Sequence, residues 1–172
     1  ITELGFNNVR VPKENLIGKE NRGFYQVVQF FDESRVEIAA HAVGMAQGAF
    51  ERALDYSKKR EQFGQRIADF QVTQHKLADM AIKIETARLL TYKAAWLFDM
   101  GRPDPKLSSM AKTYAGRVSV EVADEALQIF GGYGYFSEHQ VERFYRDAKI
   151  NEIYEGTKEV QKNTIAKALL GR

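Results

Sequence analysis

From Gly23 onward, apolar residues recur at steps of three and four. Phe24, Val28, Phe31, Ile38, Ala42, Met45 and Ala49 share one helical seam, and Arg35 fills its single gap. The seam continues through Leu54 toward Arg60 and predicts a helix of roughly ten turns. A connector from Glu61 to Asp69 carries Phe63-Gly64. A second long helix is predicted from about Gln71 to Met100, with Leu77, Met80, Ala81, Ile84, Ala87 and Leu90 on its stripe. Gly101, Pro103 and Pro105 end it and open a third, from about Lys106 to Phe130, carried by Leu107, Met110, Tyr114, Val118, Val122 and Ile129. Gly131-Gly132-Tyr133-Gly134 breaks that helix, and shorter ones follow from Glu138 to about Ala148 and from about Lys158 to Leu170. Ahead of them all, Leu4, Phe6, Val9 and Val11 alternate up to Pro12, which reads as an edge strand and loop. The expected fold is an all-α, antiparallel up-down bundle of about five helices after a short β-strand segment.

Composition narrows the function classes. Apolar residues make up 44% of the 172 and charged residues 28%, a globular mix. The net charge is +2, with both signs interspersed, so there is no electrostatic footprint for nucleic acid. No apolar run approaches the roughly 18 residues of a membrane span. The absence of cysteine excludes disulfides, thiolate metal sites and cysteine nucleophiles. It suits a reducing compartment, the cytoplasm or the mitochondrial matrix. The opening Ile1-Thr2-Glu3-Leu4 begins inside a strand pattern without an initiator Met, so the chain is expected to be part of a longer protein.

Three stretches carry candidate chemistry. Arg35 interrupts an apolar seam; either its stem covers apolar surface while its head reaches solvent or Asp32, or it projects a charge into a ligand cavity. Gly131 to Tyr135 follows a helix end, where it is either a simple helix stop or backbone left bare for close approach to a phosphate. In Ile153-Tyr154-Glu155-Gly156-Thr157, Thr157 is a candidate N-cap for the last helix. Glu155 just ahead of it either complements the helix dipole or serves as a general base, its pKa raised in an apolar, aromatic-lined pocket. A di-iron bundle needs inward Glu-x-x-His pairs. His41, His75 and His139 do not offer that spacing, so no metal site is expected.

Taken together these stretches resemble the acyl-CoA dehydrogenase family, over essentially the entire chain. Glu3 to Pro12 is similar to the exit from the family's middle β-domain. Arg60-Glu61-Gln62-Phe63-Gly64 matches its Arg-x-x-Phe-Gly element, and Gln128 to Gly134 its Gln-x-x-Gly-Gly-x-Gly turn. Arg146 to Ile150 followed by Ile153 to Thr157 is similar to its closing signature. Residues 1–20 would then be the tail of the β-domain and a linker, and residues 21–172 the C-terminal helical bundle.

The resemblance implies α,β-dehydrogenation of an acyl-CoA thioester to a trans-2-enoyl-CoA. Glu155 would take the α-proton, FAD would accept the β-hydrogen as hydride, and electrons would pass to an electron-transferring flavoprotein. The Glu155 backbone N–H would help bind the thioester carbonyl. Tyr154 and Gly156 would line the acyl pocket, and Asp32 and Arg35 would contact the CoA portion. Arg60, Gln62, Phe63, Gln128 and Gly132 would meet the FAD of a neighbouring subunit, with Thr157 and Glu159 on the side of its own; Glu159 departs from the Gln common there. Some branches of the family place their base at the position matched by Ser34, which cannot serve. The resemblance also implies a homo-oligomer, dimer or tetramer, and apolar residues off the main stripes, such as Val27, Ile82 and Leu89, suit such an interface. Because much of the flavin site belongs to other domains, the isolated chain is expected to bind FAD weakly and to lack turnover. An acyl-CoA oxidase-like enzyme and a non-catalytic helical oligomerisation module are the alternatives.

Overall fold

A computed structural model describes residues 2–171. Most of the chain is five α-helices: α1 (Gly23–Lys59), α2 (Gln71–Asp99), α3 (Pro105–Phe130), α4 (Val141–Ile150) and α5 (Lys158–Leu170). The central helix is α3, which packs against the other four. Its start is written locally: the Asp104 carboxylate accepts from the Lys106 and Leu107 backbone N–H groups at 3.0 and 3.2 Å, and Pro105 fills the first helical position. Gly131, at φ +61°, ends it.

Small residues form the main seam. Ala39, Ala42, Ala46, Ala49 and Ala53 of α1 are fully buried at alternating steps of three and four. Ala111, Ala115, Val118, Val122 and Ala126 form the corresponding stripe of α3. That spacing keeps one face turned to the partner helix, and alanine lets the two backbones come close. Met80, Ile84, Ala87 and Ala94 of α2 complete the core, joined by Thr91, whose hydroxyl donates to the Ala87 carbonyl at 2.8 Å and is therefore buried without an orphan.

Four details differ from the sequence expectation. Phe24 and Val28 are 75% and 43% exposed, and burial on α1 begins only at Ser34. The reason is length: 37 residues span about 56 Å against about 39 Å for the 26 of α3, so the first turns of α1 overhang the bundle. On α2, Ala81 faces outward, while Thr73 and Thr91 occupy the seam. Residues 4–11 form no ladder; they are exposed, with a 3₁₀ turn at Lys13–Asn15 beyond them, because an edge strand needs a neighbouring strand to pair with. The strands lie elsewhere, β1 (Glu61–Gln62) and β2 (Gln65–Arg66), paired antiparallel. Finally α4 starts at Val141 rather than Glu138, since Gln140 at φ +56° separates it from a 3₁₀ turn at Ser137–His139. Among the described residues, no helix is long and apolar enough to cross a membrane.

Candidate active site

The connector between α4 and α5 lies directly on α3. At Gly116 an added Cβ would stand 2.7 Å from the Asn151 carbonyl oxygen, so only glycine admits the connector backbone there. Asn151 is fully buried and ties the connector to two helices. Its amide reaches Met45 Sδ at 3.3 Å and Ser119 Oγ at 3.4 Å; its oxygen lies 3.0 Å from His41 Nδ1 and accepts from the Tyr154 hydroxyl at 3.2 Å.

Past this anchor the backbone turns left-handed, with φ +54° at Glu155 and +91° at Gly156. Glycine is at ease there, but a residue with a Cβ gives up about 1–2 kcal/mol. Buried side chains hold the turn. Gln161 Nε2 donates to the Glu155 carbonyl at 2.8 Å and to the Gly156 carbonyl at 3.2 Å, and Lys112 Nζ donates to the Gly156 carbonyl at 2.6 Å. Thr157 caps α5, accepting from the Val160 N–H at 3.4 Å. Among the described residues, nothing accepts from the Glu155 N–H.

The consequence for Glu155 is directional. Its carboxylate does not attend the α5 dipole; it turns to α1 and accepts from Ser34 Oγ at 2.6 Å. The dipole position is taken by Glu159, exposed in the first turn, where its own backbone N–H and then Thr157 hold its carboxyl below the usual range. Glu155 is partly exposed beside the partly buried Tyr154, so its carboxyl keeps some contact with solvent. Burial, followed by the Glu155 charge, pushes the Tyr154 hydroxyl above its ordinary pKa. Arg35, next to Ser34, is buried; one guanidinium nitrogen donates to Asp32 at 2.8 Å, and Nε is buried without a partner. The Asp32 pairing matches the first sequence reading, but the head does not reach open solvent.

Lys112 was invisible to motif reasoning. It is 1% exposed, and burial pushes its ammonium pKa down to about 8, against the pull of Glu155. Arg35 pushes in the same direction as burial, and Glu152 opposes it. The available signal was its place on the α3 stripe, four residues after Ser108 and three before Ala115. Gln161 gave no comparable signal.

A second cluster sits at the far end of α1. Arg60 ends that helix, its guanidinium 4.9 Å from the centre of the Tyr133 ring. Arg60, Gln62, Gly132 and Tyr133 line a hollow of about 430 Å³, and an adjoining hollow shares Gln62 and adds Phe63 and Gln128. An added Cβ at Gly131 or Gly132 would meet nothing within 4 Å, so this backbone is open to a ligand. Phe63 and Gly64 both have positive φ, as a two-residue type I′ hairpin requires, and Phe63 is 94% exposed. The structure thus brings Asp32, Arg35, Tyr154, Glu155 and Gly156 to one end, with Thr157 and Glu159 following, and the other five residues to the opposite end. Ser34 and Arg60 are 26 positions apart on one helix axis, about 39 Å.

Residues 21–170 match the family described as "Acyl-CoA dehydrogenase, C-terminal domain". The chain belongs to the acyl-CoA dehydrogenase family. Cyclohexane-1-carbonyl-CoA dehydrogenase of Geobacter metallireducens is 44% identical over 98% of this chain and 44% of that protein. The caffeyl-CoA reductase-Etf complex subunit CarC of Acetobacterium woodii is 46% identical over 98% of the chain and 45% of that subunit. Among solved structures, butyryl-CoA dehydrogenase from Megasphaera elsdenii superposes with a TM-score of 0.92 at 47% identity, over 96% of this chain and 43% of that one. This chain therefore spans less than half the length of the acyl-CoA dehydrogenase relatives it matches.

Proposed function

We propose that this chain supplies the base and part of the flavin-binding surface of an FAD-dependent acyl-CoA dehydrogenase, with Glu155 removing the α-proton of an acyl-CoA thioester. The observation that carries this reading is the Glu155 carboxylate itself, presented from a left-handed turn pinned by Gln161 and Lys112 and oriented by Ser34 at 2.6 Å. Removing a proton next to a carbonyl requires a base held in place and a donor for the charge that develops on the carbonyl oxygen. Glu155 is the former, and its own N–H is available as the latter. Arg35, fixed by Asp32, offers a preorganised cation for the CoA portion, and Tyr154 and Gly156 border the acyl chain.

The cluster of Arg60, Gln62, Phe63, Gln128 and Gly132 fits the pyrophosphate and adenosine end of FAD: a cation, amide side chains, and glycine backbone that nothing obstructs. Bound flavin supplies the acceptor for the β-hydrogen, which leaves as hydride to give a trans-2-enoyl-CoA. A separation of about 39 Å exceeds the reach of one dinucleotide, which favours two flavins in neighbouring subunits of a homo-oligomer. Thr157 and Glu159 then border the subunit's own cofactor. Because the chain spans less than half the length of its relatives, with much of the flavin site expected in the remainder, the 172 residues alone bind FAD weakly and do not turn over. A relative named as a subunit of an Etf complex supports an electron-transferring flavoprotein as the electron acceptor.

The test is Glu155→Gln in the full-length enzyme. Flavin content should be unchanged and substrate-driven bleaching slowed by several orders of magnitude, about 10³-fold or more. Bleaching at the unmodified rate would sink the assignment.

A further inference from the structure

Among the described residues Lys112 is the largest fully buried side chain, and the buried positions nearest it on α3 are Ser108, Ser109, Ala111, Ala115 and Gly116. Taking an ammonium out of water is unfavourable, and an apolar side chain of similar length would fill the same space without that cost. Core packing therefore does not account for a lysine. What the lysine does is reach one atom, the Gly156 carbonyl, at 2.6 Å. Three charged groups face it: Glu155 and Glu152 from the connector, and Arg35 from α1. Gln161 already donates to the same carbonyl, so a neutral donor alone would duplicate an existing contact. The charge is the part that Gln161 cannot supply.

We propose that Lys112 is a positioning residue for the base: its buried ammonium fixes the Gly156 carbonyl, keeps residues 155 and 156 left-handed, and holds positive charge beside the Glu155 carboxylate. The proposal rests on Glu155 acting as base. It carries a pH signature, because burial brings the titration of this lysine to about 8. The ammonium is charged below that pH and neutral above it, so the clamp weakens on the alkaline side, where an exposed lysine would still be charged.

The experiment uses the flavin-loaded, full-length enzyme carrying Lys112→Met, which keeps length and removes both charge and donor. Flavin content should stay near wild type, while the rate of flavin reduction by saturating acyl-CoA falls on the order of 100-fold, as for a displaced catalytic group. The wild type should lose activity above about pH 8, and in the variant that alkaline fall should be missing. In a crystal structure of the variant, residues 155–156 should leave the left-handed region or the Glu155 carboxylate should part from Ser34. An unchanged reduction rate, or the same alkaline fall with the turn unmoved, would overturn the proposal. If the Met variant does not fold, Lys112→Gln, a neutral donor, replaces it: loss of the alkaline fall supports the role of the charge, and an unaltered fall refutes it. Should Glu155→Gln keep normal bleaching, the base assignment fails by itself, and the variant's crystal structure still decides whether Lys112 holds the turn.

Discussion

A glutamate at φ +54° stays there only if its neighbours over-determine it, and here Gln161 and Lys112 from two helices share that task. Ser34 then fixes the side chain. A hydrogen bond to a charged group contributes about 1.5–3 kcal/mol, so Ser34→Ala should slow flavin reduction about tenfold with flavin content intact, read by stopped-flow absorbance. Lys112 acts on stability in the opposite direction. Its folded pKa, about 8, lies below its ordinary 10.5, so between those values the unfolded chain holds a proton that the folded one has released. Stability from this group therefore rises with pH across that window, by up to about 1.4 kcal/mol per pH unit, and its unfavourable burial is fully present below pH 8. Urea unfolding of the chain should show Lys112→Met relatively most stable near pH 7, with its advantage over wild type shrinking toward pH 10. A constant difference across that range would contradict the assignment.

At the scale of elements, the helices were legible because their signals are local. Pro105 opens α3, Gly131 ends it, and Thr157 caps α5, each through its own ring, φ angle or side chain. Faces were less legible. Periodicity placed Phe24 and Val28 on the seam of α1, yet a helix longer than its neighbours leaves those turns uncovered. An edge strand at residues 4–11 was likewise read from alternation alone, which does not supply the strand it would pair with. The seam that does exist is made of alanine, and it tolerates little added volume. Ala46→Leu, at a fully buried position of α1 in the core, should lower stability by about 1–3 kcal/mol, seen as a reduced Tm by circular dichroism.

Across the whole molecule, α1 spaces Ser34, which holds the Glu155 carboxylate, about 39 Å from Arg60. Under the proposed function the two ends serve different flavins, and a complete site would draw on more than one copy. Ile82, Leu89, Tyr92 and Trp96 lie exposed along one side of α2, an apolar surface suited to a second copy. Leu89→Glu in the full-length enzyme should shift sedimentation toward smaller species; an unchanged distribution would exclude that face. The sequence by itself determined the five helices, the Thr157 cap and the glycine breaks, and through resemblance it singled out Glu155 and the Arg60 to Gly132 set as candidates, since each is carried by residues close together in the chain. Only the tertiary structure decided that Glu155 meets Ser34, 121 positions earlier, and that Lys112 and Gln161 hold its turn. Those contacts join residues remote in sequence, and a polar residue on a helix stripe acquires its meaning from the carbonyl that packing brings to it.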